Sequence, residues 1–395
     1  CRNDYFGSDP AYGITKECDL WVANTTPPPS QDAGTPPPQD AGAPPPRDSP
    51  ALGTPRSSAR FFISGHSLTY DPFGDYVVSI AQSLGSSAQY NEQIMMGSAI
   101  HYRVRGNGNE SDTGFDGYSQ GLNRGGGSNM NVIQELRHPQ TLGGDLYDTL
   151  LITERYDLLV VIDYDKTARY LRHVHERLIE GNPQANTYFF EPWYSVNDKG
   201  DPRDWIAYQR TAHPVWKCVA TRINQSLAAE GRRDRIASLP AATAMAELIE
   251  RATQGNVDGV TGSSVLETVD RIISDDVHMT LLGKYYMALV TYGALYRRSP
   301  IGAWFPNDVT STQANSLQHI AWDYVSNYYA SGDSALNLAQ CQTLVQNSFC
   351  NTYWNYYSDP GQIPNCLKRF AQQDDGNPFY YNATTDSGYW FPAPP

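Results

Sequence analysis

The chain is expected to be an α/β protein in three layers, a parallel sheet with helices on both faces, and two observations carry that expectation. Between residues 60 and 302, short apolar runs alternate with helical patterns, the signature of strands linked by crossover helices. The runs are also unbroken: Phe61, Phe62 and Ile63 are consecutive, as in strands covered on both faces. The first run stops abruptly at Gly65-His66-Ser67, which sets a hydroxyl at a strand end, where open α/β sheets bind ligands.

Each element follows from its local pattern. After the first strand, Tyr76, Val77, Ile80 and Leu84 recur at helical spacing, so Phe73 to Leu84 reads as a helix. Ala88 to Met96 is the second strand. Residues 103–131, rich in Gly, Asn and Ser, read as a long loop, and a loop of that length tends to serve a site. Thr149 to Thr153 is the third strand, and Asp157 to Ile162 is a further apolar run. Lys166 to Glu180 is a helix stopped by Gly181-Asn182-Pro183. Asn186 to Trp193 is an aromatic strand, and Arg203 to Glu230 a long helix expected to kink or break near Pro214. Arg235 to Pro240 supplies the fifth strand, Ala244 to Ala252 a helix, and Leu281 to Tyr296 the closing helix.

The ends differ from this core. Residues 1–26 carry Tyr5, Phe6, Tyr12, Trp21, Cys1 and Cys18, and residues 27–59 form a proline-rich linker in which Pro-Pro-Pro recurs with Asp-Ala-Gly between. Such a linker favours polyproline II. Residues 303–395 form an extension with a helix over Ser311 to Ala330 and then Cys341, Cys350 and Cys366 among tyrosines and asparagines, a region expected to be stapled by disulfides. Six cysteines allow three disulfides; a Cys1 start before a proline-rich tether alternatively fits a processed lipoprotein anchored through Cys1. Either way the expectation is a secreted or cell-surface protein. A formal charge of −13 with no basic cluster excludes nucleic acid as a partner, and no apolar run of about 18 residues spans a membrane.

The chemistry centres on Ser67. A serine nucleophile needs a base within hydrogen-bond reach and a third group to orient that base. Among eight histidines, His173 and His175 lie two apart and share no helix face, and no metal-ligand spacing is present, so neither a metal nor a cofactor is expected. His278 stands out because Asp275 precedes it by three residues, in a loop just before the closing helix. Capping of that helix by the acidic residues is the plainer explanation of the same pattern.

Gly65-His66-Ser67-Leu68 resembles the first block of the SGNH (GDSL-type) hydrolases, and Asp275-x-x-His278 resembles their last. Met96-Gly97-Ser98 is similar to the second block, while Glu191-Pro192-Trp193 and Val277 to Gly283 look like exported bacterial members. The likeness spans roughly residues 60–300. It implies Ser67, Asp275 and His278 as catalytic residues, with the amides of Ser67 and Gly97 as oxyanion donors. The third block departs from the family: no Gly-x-Asn-Asp follows the third strand, and Thr153-Glu154 stands there. Thr153 is then the remaining side-chain donor, and an ionised Glu154 would oppose an oxyanion.

The resemblance implies an esterase that removes acetyl or other acyl groups from polysaccharide or another ester substrate. The alternative is a structural protein, self-assembling into homo-oligomers or filaments through its N-terminal arm, with a slow or inactive core as building block.

Overall fold

The computed structural model describes residues 54–106, 114–128, 130–331 and 335–393. The expectations for Cys1, Cys18 and the proline-rich linker fall outside these residues. All the described residues belong to one compact unit, in which those of 303–393 are continuous with those of 60–302.

Five parallel strands, β1 (Ser58–Gly65), β2 (Ser87–Ile94), β3 (Thr149–Thr153), β4 (Asn186–Phe190) and β5 (Ile236–Leu239), lie in the order β2-β1-β3-β4-β5. The chain leaves β1 outward to β2, then crosses back to β3 on its other side. The topological switch point therefore falls at the carboxyl end of β1, where Ser67 follows.

Both faces of the sheet are buried, which explains the unbroken apolar runs. Phe61, Ile63, Leu151, Tyr188 and Phe190 enter one core, and Phe62, Leu150, Ile152 and Phe189 enter the other. The helices, in chain order, are α1 (Phe73–Ser83), α2 (Ile100–Arg105), α3 (Val132–Arg137), α4 (Leu158–Asp163), α5 (Thr167–Gly181), α6 (Arg203–Ala229), α7 (Ala241–Thr253), α8 (Val265–Asp270), α9 (Leu281–Tyr296) and α10 (Ser311–Ala330). Helices α1, α7, α9 and α10 build the first core, and α2 to α5 with most of α6 build the second. The result is a three-layer α/β/α arrangement.

Thirteen of the sixteen residues of α9 are buried, so a helix facing only the sheet would leave one side bare; α10, opened by a Thr310/Gln313 capping box, covers it. Beyond α10 the extension forms α11 (Leu338–Leu344), α12 (Cys350–Tyr356) and α13 (Ile363–Phe370). Cys218 of α6 is bonded to Cys341 of α11, and Cys350 to Cys366. The first bond fastens the extension to the core. The last residues lie on α5 and α6, where Arg222 pairs with Asp386 at 2.5 Å and stacks over Tyr389 and Trp390.

The apolar run at 157–162, to which the sequence assigns no element type, is helix α4; five apolar residues in a row carry no period that separates helix from strand. Two expectations change. Helix α6 runs unbroken through Pro214, held by a buried face from Trp205 to Leu227. The loop at 103–131 begins inside α2 and contains a 3₁₀ turn at Asp116–Ser119.

Candidate active site

The chain turns sharply after β1. Gly65 is required by the approach of the turn that follows: a Cβ there would sit 1.9 Å from Thr69 Oγ1, the hydroxyl of a stiff, buried residue. His66 then caps a single 3₁₀ turn, Ser67–Thr69. Its ring is buried with both nitrogens engaged: Nε2 donates to the Glu154 carbonyl oxygen at 2.8 Å, and Nδ1 accepts from the Leu68 amide at 3.4 Å. Burial, with Arg103 nearby, holds His66 down to about 3, so it is neutral and serves to fix the turn.

That turn presents Ser67 to the loop before α9. His278 Nε2 lies 2.9 Å from Ser67 Oγ, and His278 Nδ1 lies 2.7 Å from Asp275 Oδ2. With Nδ1–H donating to the carboxylate, Nε2 is left to accept the serine proton. The other oxygen, Asp275 Oδ1, accepts from the amides of Val277 (2.8 Å) and His278 (2.7 Å). Partial burial would raise the Asp275 carboxyl, but these amides and the imidazole outweigh it and hold it at about 2.

The loop is fastened from several sides. Ser274 N donates to His278 O (2.8 Å), Trp193 Nε1 to Val277 O (2.9 Å) and Val196 N to Asp276 O (2.7 Å). Thr280 caps α9, so the capping role that sequence offered to the acidic residues belongs to a threonine.

Gly97 sits one turn beyond β2, between Met95 and Ser98, and Met95 N donates to Gly65 O, which draws that turn alongside the end of β1. Its φ is +64°, where an alanine would be strained, and open space surrounds it. Among the described residues the amides of Ser67 and Gly97 have no acceptor. Thr153 is not brought to the serine as a donor. It is fully buried, and its hydroxyl faces the Glu154 carbonyl oxygen at 3.4 Å.

Arg103, which the sequence leaves without a role, and Glu154, which it offers only as an oxyanion opponent, hold the framework. Arg103, buried, donates to Ser64 Oγ (3.0 Å), to Ser98 O and Oγ (2.9 Å each) and to the Thr153 carbonyl oxygen, tying together the ends of β1, β2 and β3. Glu154, also buried, accepts from the amides of Ile100 (2.9 Å) and Arg155 (2.8 Å) and from Thr167 Oγ1 (2.9 Å). Burial raises the Glu154 carboxyl to about 7 against the opposing pull of Arg103, and lowers Arg103 to about 10. The carboxylate feared as an oxyanion opponent is a structural acceptor within this web. Among the described residues no cluster of His, Cys, Asp and Glu is arranged to hold a metal.

The site is open: the side chains of His278 and Asp275 are 44% and 53% exposed. A cavity of about 510 Å³ lies between α6 and α12, beside Tyr208 and Tyr356, and none of the three residues lines it.

No family model and no curated protein matches the chain. Among solved structures, a DUF4886 family protein from Bacteroides uniformis is similar over 72% of this chain and 99% of its own, with 14% identity and a TM-score of 0.47. A likeness that loose is silent on chemistry.

Proposed function

We propose that the protein is an exported serine esterase of the SGNH type, removing acetyl or similar small acyl groups from a carbohydrate or other polar carrier. The observation that carries this reading is the chain of hydrogen bonds from Asp275 through His278 to Ser67. His278 takes the Ser67 proton as Oγ attacks the ester carbonyl, and Asp275 stabilises the imidazolium that forms. The tetrahedral oxygen is received by the free amides of Ser67 and Gly97. His278 returns the proton to the leaving alcohol, and water then releases the acyl enzyme by the same steps in reverse order.

The exposure of His278 and Asp275 supports a substrate presented on a bulky carrier rather than one swallowed whole. The two disulfides among the described residues support an oxidising, extracytoplasmic compartment. With two backbone donors and no third, turnover is expected to lie about a hundredfold or more below that of a three-donor site.

Ser67→Ala should lower hydrolysis of p-nitrophenyl acetate by at least about a thousandfold with an unchanged circular dichroism spectrum. Asp275→Asn should cost ~10²–10⁴-fold through loss of an oriented base. Activity unaltered in the serine variant sinks the assignment, and a wild-type protein that is inactive but sediments as a large assembly favours the structural alternative.

A further inference from the structure

A second group of side chains opens beside the nucleophile turn. Tyr70 follows that turn directly, and three residues of chain place its Cα within about 11 Å of that of Ser67. With Asp71, Asp75 of α1, Tyr90 and Glu92 of β2, and Arg124, it bounds a cavity of about 600 Å³.

The cavity's charge is unbalanced. Arg124 donates to Asp75 at 2.8 Å and lies 4.5 Å over the Tyr90 ring, so one cation offsets one of three carboxylates. Lys284 Nζ reaches this region but donates to the Asp71 backbone carbonyl oxygen at 2.7 Å. Its ammonium is still a second cation, attracted by the Asp71 carboxylate and 5.9 Å from the Tyr70 ring, so Glu92 is the carboxyl left as the surplus. Glu92 is 4% exposed, and its Oε2 is buried without a hydrogen-bond donor among the described residues. A buried carboxylate oxygen with no partner, in a cavity lined by further carboxylates, is a vacant acceptor for a group that brings both a proton donor and positive charge. Burial, reinforced by Asp71 and Asp75 and only partly opposed by Arg124, pushes the Glu92 carboxyl up to about 7.

The geometry narrows the occupant. An anion is excluded by the charge. A metal ion is disfavoured because the carboxylates do not converge as ligands. A neutral hydroxyl would satisfy Glu92 Oε2 but leave the surplus charge unanswered. An ammonium group satisfies both.

We propose that this cavity is a subsite for a primary ammonium group carried by the substrate, so that the favoured ester is one on an amine-bearing polar carrier such as an amino sugar. The link to catalysis rests on the esterase reading. The binding of the amine does not.

Isothermal titration of the full chain at neutral pH compares methyl glucosaminide with methyl glucoside, which differ at one position by amine against hydroxyl. The aminoglycoside should bind at least tenfold more tightly, and Glu92→Gln and the exposed Asp71→Asn should each weaken it at least tenfold. Equal binding of the two glycosides, binding of neither, saturable calcium binding that displaces the amine, or insensitivity to both substitutions overturns the proposal. Hydrolysis of p-nitrophenyl acetate read in parallel separates the two ideas. Turnover without amine binding removes the subsite alone, and amine binding without turnover removes the esterase and leaves the subsite standing.

Discussion

Asp275 divides its two carboxylate oxygens between building the loop and aiming the imidazole, and that division explains how an exposed pair can still be ordered. The sequence spacing of Asp275 and His278 was legible because a three-residue offset in one short loop puts the two side chains together whatever surrounds them. Ser67 was legible for a similar reason, since its place after a buried strand follows from the α/β order. Thr153 was not. Whether the last residue of a strand faces the site or the interior depends here on Arg103, fifty residues earlier, which claims its carbonyl oxygen. Glu92 was equally hidden, because a charged residue on the edge strand β2 reads as solvated, and its burial beside Asp75 and Arg124 depends on segments far from it in sequence. Its titration gives a test at this scale. The Glu92 carboxyl is raised from 4.5 to about 7, so the folded state binds its proton more tightly than the unfolded state does. The stability it contributes is complete below about pH 4.5 and is lost as pH rises through about 7. The melting temperature of wild type relative to Glu92→Gln should therefore fall between pH 5 and pH 8, measured by scanning calorimetry, and a constant difference contradicts the shift.

Strands and long helices were read close to their true limits, since α1, α5 and α9 each run for three turns or more and β1 and β3 are built on unbroken apolar runs. The short helices α2 and α3 escaped because six residues among glycines and asparagines hold under two turns of pattern. Yet α2 delivers the residue on which the strand ends depend. Arg103 is buried with four oxygens of three separate segments around it, and replacing it by methionine would leave those oxygens, and the Glu154 carboxyl near them, without their cation. Loss of one partner from a buried charged network costs about 3–5 kcal/mol. Arg103→Met should show a loss of that order in urea unfolding, together with a fall in ester turnover as the turn bearing Gly97 loosens. Unchanged stability would mean that the web does not hold the strand ends together.

Across the whole molecule, the cysteines join what pattern reading divided at residue 302. Their pairing was closed to sequence, because which cysteines meet depends on how α11 lies against α6. The Cys218–Cys341 bond spans 123 residues of chain, and a loop of that length restricts the unfolded state strongly. Replacing both cysteines by alanine should lower stability by about 2–4 kcal/mol. A non-reducing peptide map should recover Cys218 with Cys341 and Cys350 with Cys366, and a different pairing of these four would refute the arrangement.

The bond from Trp193 to Val277 bears on how the protein comes into being. Ser67 and His278 are 211 residues apart, and the loop that carries His278 is moored to the segment leaving β4 rather than to the nucleophile turn. During synthesis Ser67 emerges long before His278, and the loop that carries His278 gains its mooring only once the segment leaving the aromatic strand is in place. On the proposed esterase reading, a nascent or truncated chain would hold an inert hydroxyl, its reaction withheld until the molecule is whole.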